Sequence, residues 1–310
     1  MIVNDSMYTP STVPVNQDRT IVTPQDAVEE IVSSLAIELS KVDDVIIPLS
    51  GGVQSTFVAA VAAAAGVEAT LVHVKRPGDQ LFSRETKNAN EVSSSLKLPY
   101  RSIAVNDDEI IAHVESVSYA LGVDRLGENS DSGTDRSSSA PTKPWRAPDQ
   151  YPTSRDVMNN VIWSILNKNI SNSTIVMGSG FNILMGNGRG KNNTHLNNIV
   201  KEGYTKLTST VTKTETIIGK NSVFVPSLST DVFDSFGTIG YNVYRSTNIV
   251  RQACALLGVP DQCLKTNHIS PMDSLSIVKV INLQAKKQLE SVGDYPRDNN
   301  EAVASLWIRK

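Results

Sequence analysis

Residues 45–56 read Val-Ile-Ile-Pro-Leu-Ser-Gly-Gly-Val-Gln-Ser-Thr. This is an apolar, β-branched run that breaks at Ser50-Gly51-Gly52 and resumes as an Ala/Val-rich helical pattern through Phe57 to Ala65. That order predicts a strand, a tight turn and a helix. Adjacent glycines let backbone N–H groups approach an anion with no Cβ in the way, and the helix presents its positive end to the turn. Ser50, Ser55 and Thr56 add hydroxyls. The turn is expected to seat a phosphate chain of the nucleotide kind.

The surrounding pattern agrees with such a core. Thr23-Pro24-Gln25-Asp26 sets a capping hydroxyl before a first-turn proline, so a helix of about four turns is expected ahead of the key strand. After the turn, Ala69–Val74 reads as a strand, Arg84–Leu96 as a helix, Tyr100–Val105 as a third strand and Asp107–Leu121 as a helix with an acidic start. Alternation of this kind implies an α/β fold, a doubly wound parallel sheet. Residues 127–151 are dense in Ser, Asp, Gly and Pro and read as a long loop that could close over the sheet's carboxyl edge. Residues 1–22 read as an N-terminal arm, 23–193 as a nucleotide-binding domain, and 194–310 as a mainly helical C-terminal extension. In that extension the Thr/Val alternation of Lys206–Val225 suggests an initial β-hairpin or an edge addition to the sheet.

Composition narrows the function classes. With 40% hydrophobic and 20% charged residues, the 310-residue chain can bury a substantial core. A net charge of −3 disfavours a general nucleic-acid surface. Cys254 and Cys263 form neither a disulfide framework nor a paired zinc motif, which suits a reducing compartment. No stretch approaches roughly 20 apolar residues, and the opening Met1-Ile2-Val3-Asn4-Asp5-Ser6 lacks a basic or apolar leader pattern. A cytoplasmic protein with no membrane partner is expected.

A second glycine turn follows a second apolar strand: Thr174-Ile175-Val176-Met177 runs into Gly178-Ser179-Gly180-Phe181-Asn182. Together the two turns carry a resemblance. Ser50-Gly51-Gly52-Val53-Gln54-Ser55 resembles the SGGxDS loop of the N-type ATP pyrophosphatases, the PP-loop superfamily. The second turn resembles the G-E-G-A-D-E-L-F-G segment of asparagine synthetases and β-lactam synthetases. Thr153-Ser154-Arg155 falls where asparagine synthetases carry T-I-R.

The resemblance implies ATP as cofactor, cleaved to AMP and pyrophosphate as an acceptor is adenylated and then attacked by an amine or similar nucleophile. It implies that Ser50, Gly51, Gly52, Gln54 and Ser55 hold the pyrophosphate, and that Arg155 neutralises a phosphate. Gly178, Ser179, Gly180 and Asn182 would close the chamber, with adenine lying near His73 and Val74 at the strand ends. Two positions depart from the pattern. Gln54 and Asn182 stand where the family places aspartates, and an amide oxygen is a poor ligand for a hard divalent cation, so Mg²⁺ binding is expected to be weakened. No metal ligand is assigned. Asparagine synthetases also carry a glutaminase cysteine after the initiator Met, where Ile2 stands here, so a separate amine donor is expected. Two other readings stay open: a sulfur- or base-modifying member of the superfamily, and a nucleotide-binding pseudoenzyme subunit. Outside the motifs, His113, His195 and His268 show no metal-like spacing, Cys254 fits a core helix, and Arg189 and Lys191 read as a charged glycine-rich loop.

Overall fold

A computed structural model of the chain describes residues 7, 19–77, 80–122, 154–185, 191–246, 248–265 and 275–290. The 127–151 loop, Arg189 and most of the 1–22 arm lie outside the described residues. Helix α1 (Pro24–Leu39) starts as expected, with the Thr23 hydroxyl accepting the Asp26 N–H. It leads to β1 (Val45–Pro48), α2 (Val53–Ala64), β2 (Ala69–Lys75), α3 (Gln80–Leu96) and β3 (Tyr100–Ala104). A capping box between Asn106 and Glu109 opens α4 (Asp107–Leu121). There follow α5 (Ser154–Asn169), β4 (Thr174–Val176), the one-turn α6 (Phe181–Leu184), α7 (Asn193–Ile218) and β5 (Ser222–Phe224).

All strand pairs are parallel, in the order β3-β2-β1-β4-β5. The order reverses between β1 and β4. Right-handed crossovers that wind away from β1 in both directions carry helices to both faces, which is the doubly wound arrangement. Strand β1 is the central strand, and Val45, Ile47 and Leu49 are buried. The β-branched run thus forms a strand covered on both sides.

The chain divides into two compact units. One comprises Met1–Ala104 with Leu166–Ile269, and the other Val105–Ile165 with Ser270–Lys310. The first holds the sheet together with α8 (Thr230–Thr238), α9 (Tyr241–Ser246), α10 (Ile249–Leu256) and α11 (Asp261–Leu264). In the second, α12 (Ile277–Glu290) packs on α4, and the His113 ring bonds the Ser164 hydroxyl at 2.8 Å in the interior.

The expected hairpin at Lys206–Val225 is corrected by the structure, which places residues 193–218 in one 26-residue helix. Leu196, Val200, Tyr204, Leu207, Val211 and Ile218 recur at helical spacing and are buried. The threonines between them return their hydroxyls to the carbonyl four residues back: Thr208 to Tyr204, Thr212 to Thr208 and Thr214 to Thr210. That bond lets β-branched threonine sit in a helix. The boundary read at 193/194 falls within the first turn of this helix, and β5 beyond it pairs with β4 at the sheet edge, so the edge addition is found at Ser222–Phe224 and the sheet draws on the segment read as an extension.

Candidate functional site

Open α/β sheets place ligands beyond the carboxyl ends of their strands, where the strand order reverses. Here that point lies between β1 and β4, and the two glycine turns follow these two strands. In the first turn Gly51 takes φ +76°, and a Cβ there would stand 3.0 Å from the Glu85 carbonyl oxygen of α3. Only glycine fits both demands. The Ser55 hydroxyl accepts the Ser50 N–H at 3.2 Å and donates to the Gly52 carbonyl at 3.1 Å, while the Ser50 hydroxyl accepts the Gly52 N–H. The two serine oxygens lie 3.0 Å apart. Ser55 therefore knots the turn, and Ser50 is its exposed hydroxyl.

Gly52 is the N-cap of α2, and no side chain caps that helix. The N–H groups of Val53, Gln54 and Ser55 have no carbonyl within the helix to bond, and the helix dipole adds positive potential at the same place. These donors stand where the sequence leads one to expect an anion seat. Thr56, by contrast, is fully buried, and its hydroxyl faces the interior rather than the turn.

The second turn is built differently. A Cβ on Gly178 would lie 2.7 Å from Cα and 2.8 Å from N of Ser55, so this glycine lets the turn press on the base of α2. Gly180, at φ +100°, caps α6 and is enclosed by Ser227 and Leu207; the Ser227 hydroxyl donates to the Ser179 carbonyl at 2.6 Å. Phe181 stacks edge-on to Phe57 at 5.2 Å and tilts against Phe236 at 5.7 Å. All three rings are buried, each contributing about 1.5–3 kcal/mol by burial. Gln54 joins the two turns: its Oε1 accepts the Asn182 N–H at 3.3 Å. The Gln54 side chain is thus tied to the backbone of Asn182 and not to the Asn182 side chain.

His73 and Val74 lie on β2, both buried. The His73 Nδ1 is 2.8 Å from the Leu49 carbonyl oxygen, which can only accept, so Nδ1 carries the proton and Nε2 accepts from the Thr86 hydroxyl at 3.1 Å. Burial holds this imidazole neutral, below its ordinary pKa. It clamps β1 to β2 and α3 directly beneath the turn. Arg155 is exposed on α5, in the unit that does not hold the turns.

Two residues the sequence reading did not single out stand beside the first turn. Glu85, buried on α3 against Gly51, has its carboxyl pushed up to about 7 by desolvation. Arg251 of α10, exposed, lines a cavity of about 140 Å³ with Val53, Gln54, Asn182, Met185 and Asn248. A pocket of that size admits a phosphate group and not a whole nucleotide. No motif flags Arg251, because it lies on the polar face of an otherwise apolar helix; only the packing of α10 on α2 brings it to the turn. Cys254, one turn further along α10, is buried with its thiol pushed up to about 12, which makes it inert.

No cluster of three His, Cys, Asp or Glu side chains that could hold a metal occurs among the described residues. With Gln54 Oε1 already bonded to Asn182, the residues present do not form a protein cage for Mg²⁺. No helix among the described residues is long and apolar enough to cross a membrane.

The family model described as asparagine synthase matches residues 28–133. No curated protein matches the chain. Among solved structures, the chain is similar to NMN synthetase from Francisella tularensis at 11% identity, over 93% of this chain and 94% of that one, with a TM-score of 0.41. The matched segment contains the first turn, α2, β2 and α3.

Proposed function

We propose that the chain binds ATP at the uncapped start of α2 and adenylates an acceptor, releasing pyrophosphate, so that an amine or similar nucleophile can form an amide-type bond. The observation that carries this reading is the anion seat itself. Three N–H groups without helical partners open at the point where the strand order reverses, framed by glycines that admit a phosphate. In the adenylation step an acceptor oxygen attacks the α-phosphorus, the bond between α and β phosphates breaks, and pyrophosphate leaves with the electron pair. The nucleophile then displaces AMP and loses its proton.

The chain's own contribution is electrostatic and positional. The N–H groups of Val53, Gln54 and Ser55 and the hydroxyl of Ser50 hold the departing pyrophosphate, and Arg251 across the 140 Å³ cavity neutralises it. Gly178 and Phe181 hold the second turn against α2 so that water is excluded from one side. ATP brings Mg²⁺ on its own phosphates, and no step is assigned to a protein-held ion.

A second reading is favoured by one observation. Gln54 Oε1 is engaged by the Asn182 backbone N–H, and amides stand at both positions where the resemblance expects carboxylates, which suits a nucleotide-binding subunit without turnover. The test is release of AMP and pyrophosphate from labelled ATP, with and without a pooled small-metabolite extract, with Gly52→Val as the blank. Extract-dependent AMP and pyrophosphate support adenylation. Saturable ATP binding with no cleavage supports the second reading, and absence of binding defeats both.

A further inference from the structure

A hollow of about 500 Å³ in the sheet-bearing unit lies apart from the 140 Å³ cavity and shares no lining residue with it. Three cations reach it from separate segments: Arg19 ahead of α1, Lys191 ahead of α7, and Arg245 on α9. Among the described residues no Asp or Glu lines it. The Arg19 guanidinium is fixed by the Asn197 side chain and by the carbonyls of Phe236 and Ile239, at 2.7 Å for the latter. All of these acceptors are neutral, so Arg19 is oriented without being neutralised. Burial lowers its pKa from the ordinary value, a sign that its charge sits in a poorly solvated place. Lys191 and Arg245 are exposed and form no ion pair with any described residue.

Asn192, Asn193 and Asn242 add amides to the lining, and the first two are oriented by hydrogen bonds. The Asn193 Oδ1 accepts the Tyr241 N–H at 3.0 Å, and the Asn192 Oδ1 accepts the His195 N–H at 2.8 Å. With both carbonyl ends occupied, each side chain has its NH₂ donors left to offer. A hollow whose described residues present guanidinium, ammonium and amide N–H groups and no carboxylate is complementary to an oxyanion.

We propose that this hollow binds a small anionic molecule through its carboxylate or phosphate group and, on the reading that the chain adenylates an acceptor, that it anchors that acceptor. The framework links it to the second turn. Arg19 holds the Phe236 carbonyl, the Phe236 ring packs on Phe181, and Phe181 follows Gly180. Arg19 thus ties the hollow to the element that presses on α2.

The test titrates the full chain, its phosphate seat filled with a non-hydrolysable ATP analogue, with inorganic phosphate in one arm and succinate in the other, at low and high salt. Binding is followed by calorimetry in the wild type and in a Lys191→Gln, Arg245→Gln double variant. Both positions are exposed, and equal thermal midpoints establish that the variant folds. The expected result is saturable, salt-weakened binding of at least one anion, reduced tenfold or more in the double variant, with unchanged affinity for the ATP analogue. A response to phosphate alone identifies a phosphorylated ligand and a response to succinate alone a carboxylate. Equal anion affinity in both proteins, or none in the wild type, overturns the site. Failure of the ATP analogue to bind while anion binding persists and stays sensitive to the double variant upholds the anion site and defeats the adenylation reading.

Discussion

The two glycine turns look alike in sequence and do opposite work in the structure. Each follows an apolar strand and each opens a helix. At Ser50–Gly52 the glycines leave the backbone open outward, with the first turn of α2 uncapped. At Gly178–Gly180 they leave the backbone open inward: Gly178 meets the base of α2 and Gly180 is enclosed by Ser227 and Leu207. Glycine serves close approach to protein in both places, to α3 at Gly51 and to α2 at Gly178, and only the first turn also leaves a helix start uncapped. A pair of glycines after a strand therefore specifies proximity, and the identity of what approaches depends on the packing.

The largest break in that comparison comes from Gly178→Val. Its Cβ would fall 2.7 Å from the Ser55 backbone, which cannot yield without moving α2. A loss of about 3 kcal/mol or more is expected, read as a thermal midpoint lowered by several degrees. Gly52→Val sharpens the contrast from the other side. Gly52 has φ −89°, which valine adopts without backbone strain, and a side chain at this N-cap position is expected to obstruct the uncapped start of α2. ATP affinity should fall at least about tenfold, or ~1.4 kcal/mol, with an unchanged midpoint. If the two variants gave the same profile, the distinction between the turns would be lost.

Smaller effects probe the bridge and the floor. Gln54→Leu removes the acceptor of the Asn182 N–H and should cost about 1 kcal/mol in urea denaturation. The His73 imidazole is held neutral below its usual 6.5, so its contribution is present above that pH and declines as pH falls beneath it. His73→Phe should flatten the wild-type loss of stability on the acid side of 6.5 while lowering stability at pH 8. Glu85 runs the other way. Raised from 4.5 to about 7, its carboxyl keeps a proton that the unfolded chain gives up, so stability is highest below 4.5 and is lost as pH rises through 7. Glu85→Gln should raise the midpoint by about 2 °C at pH 8 and leave it unchanged at pH 4.

Much of the frame was legible because short-range physics decides it. The β-branched run into Ser-Gly-Gly, the Thr23-Pro24 start and the acidic opening of α4 each carry their own signal, and the structure reproduces them. Helix α7 was misread because Thr/Val alternation mimics a strand, while the return of threonine hydroxyls to carbonyls four residues back is a property of the formed helix. Its apolar residues, from Leu196 to Ile218, already recurred at helical spacing. The site was legible at the turns and illegible elsewhere. Arg251 and Arg19 reach their places through contacts made by elements distant in sequence, and no local spacing encodes that. His73 was marked by its position at a strand end, and its role as a buried clamp follows only from the Leu49 carbonyl and Thr86 on either side.

The most direct test of the anion seat is the backbone amide spectrum of the first turn of α2, recorded on the full chain as ATP is added. The account predicts saturable shifts of the Val53, Gln54 and Ser55 N–H resonances, abolished in Gly52→Val. Saturable shifts elsewhere with these three amides unmoved would contradict it.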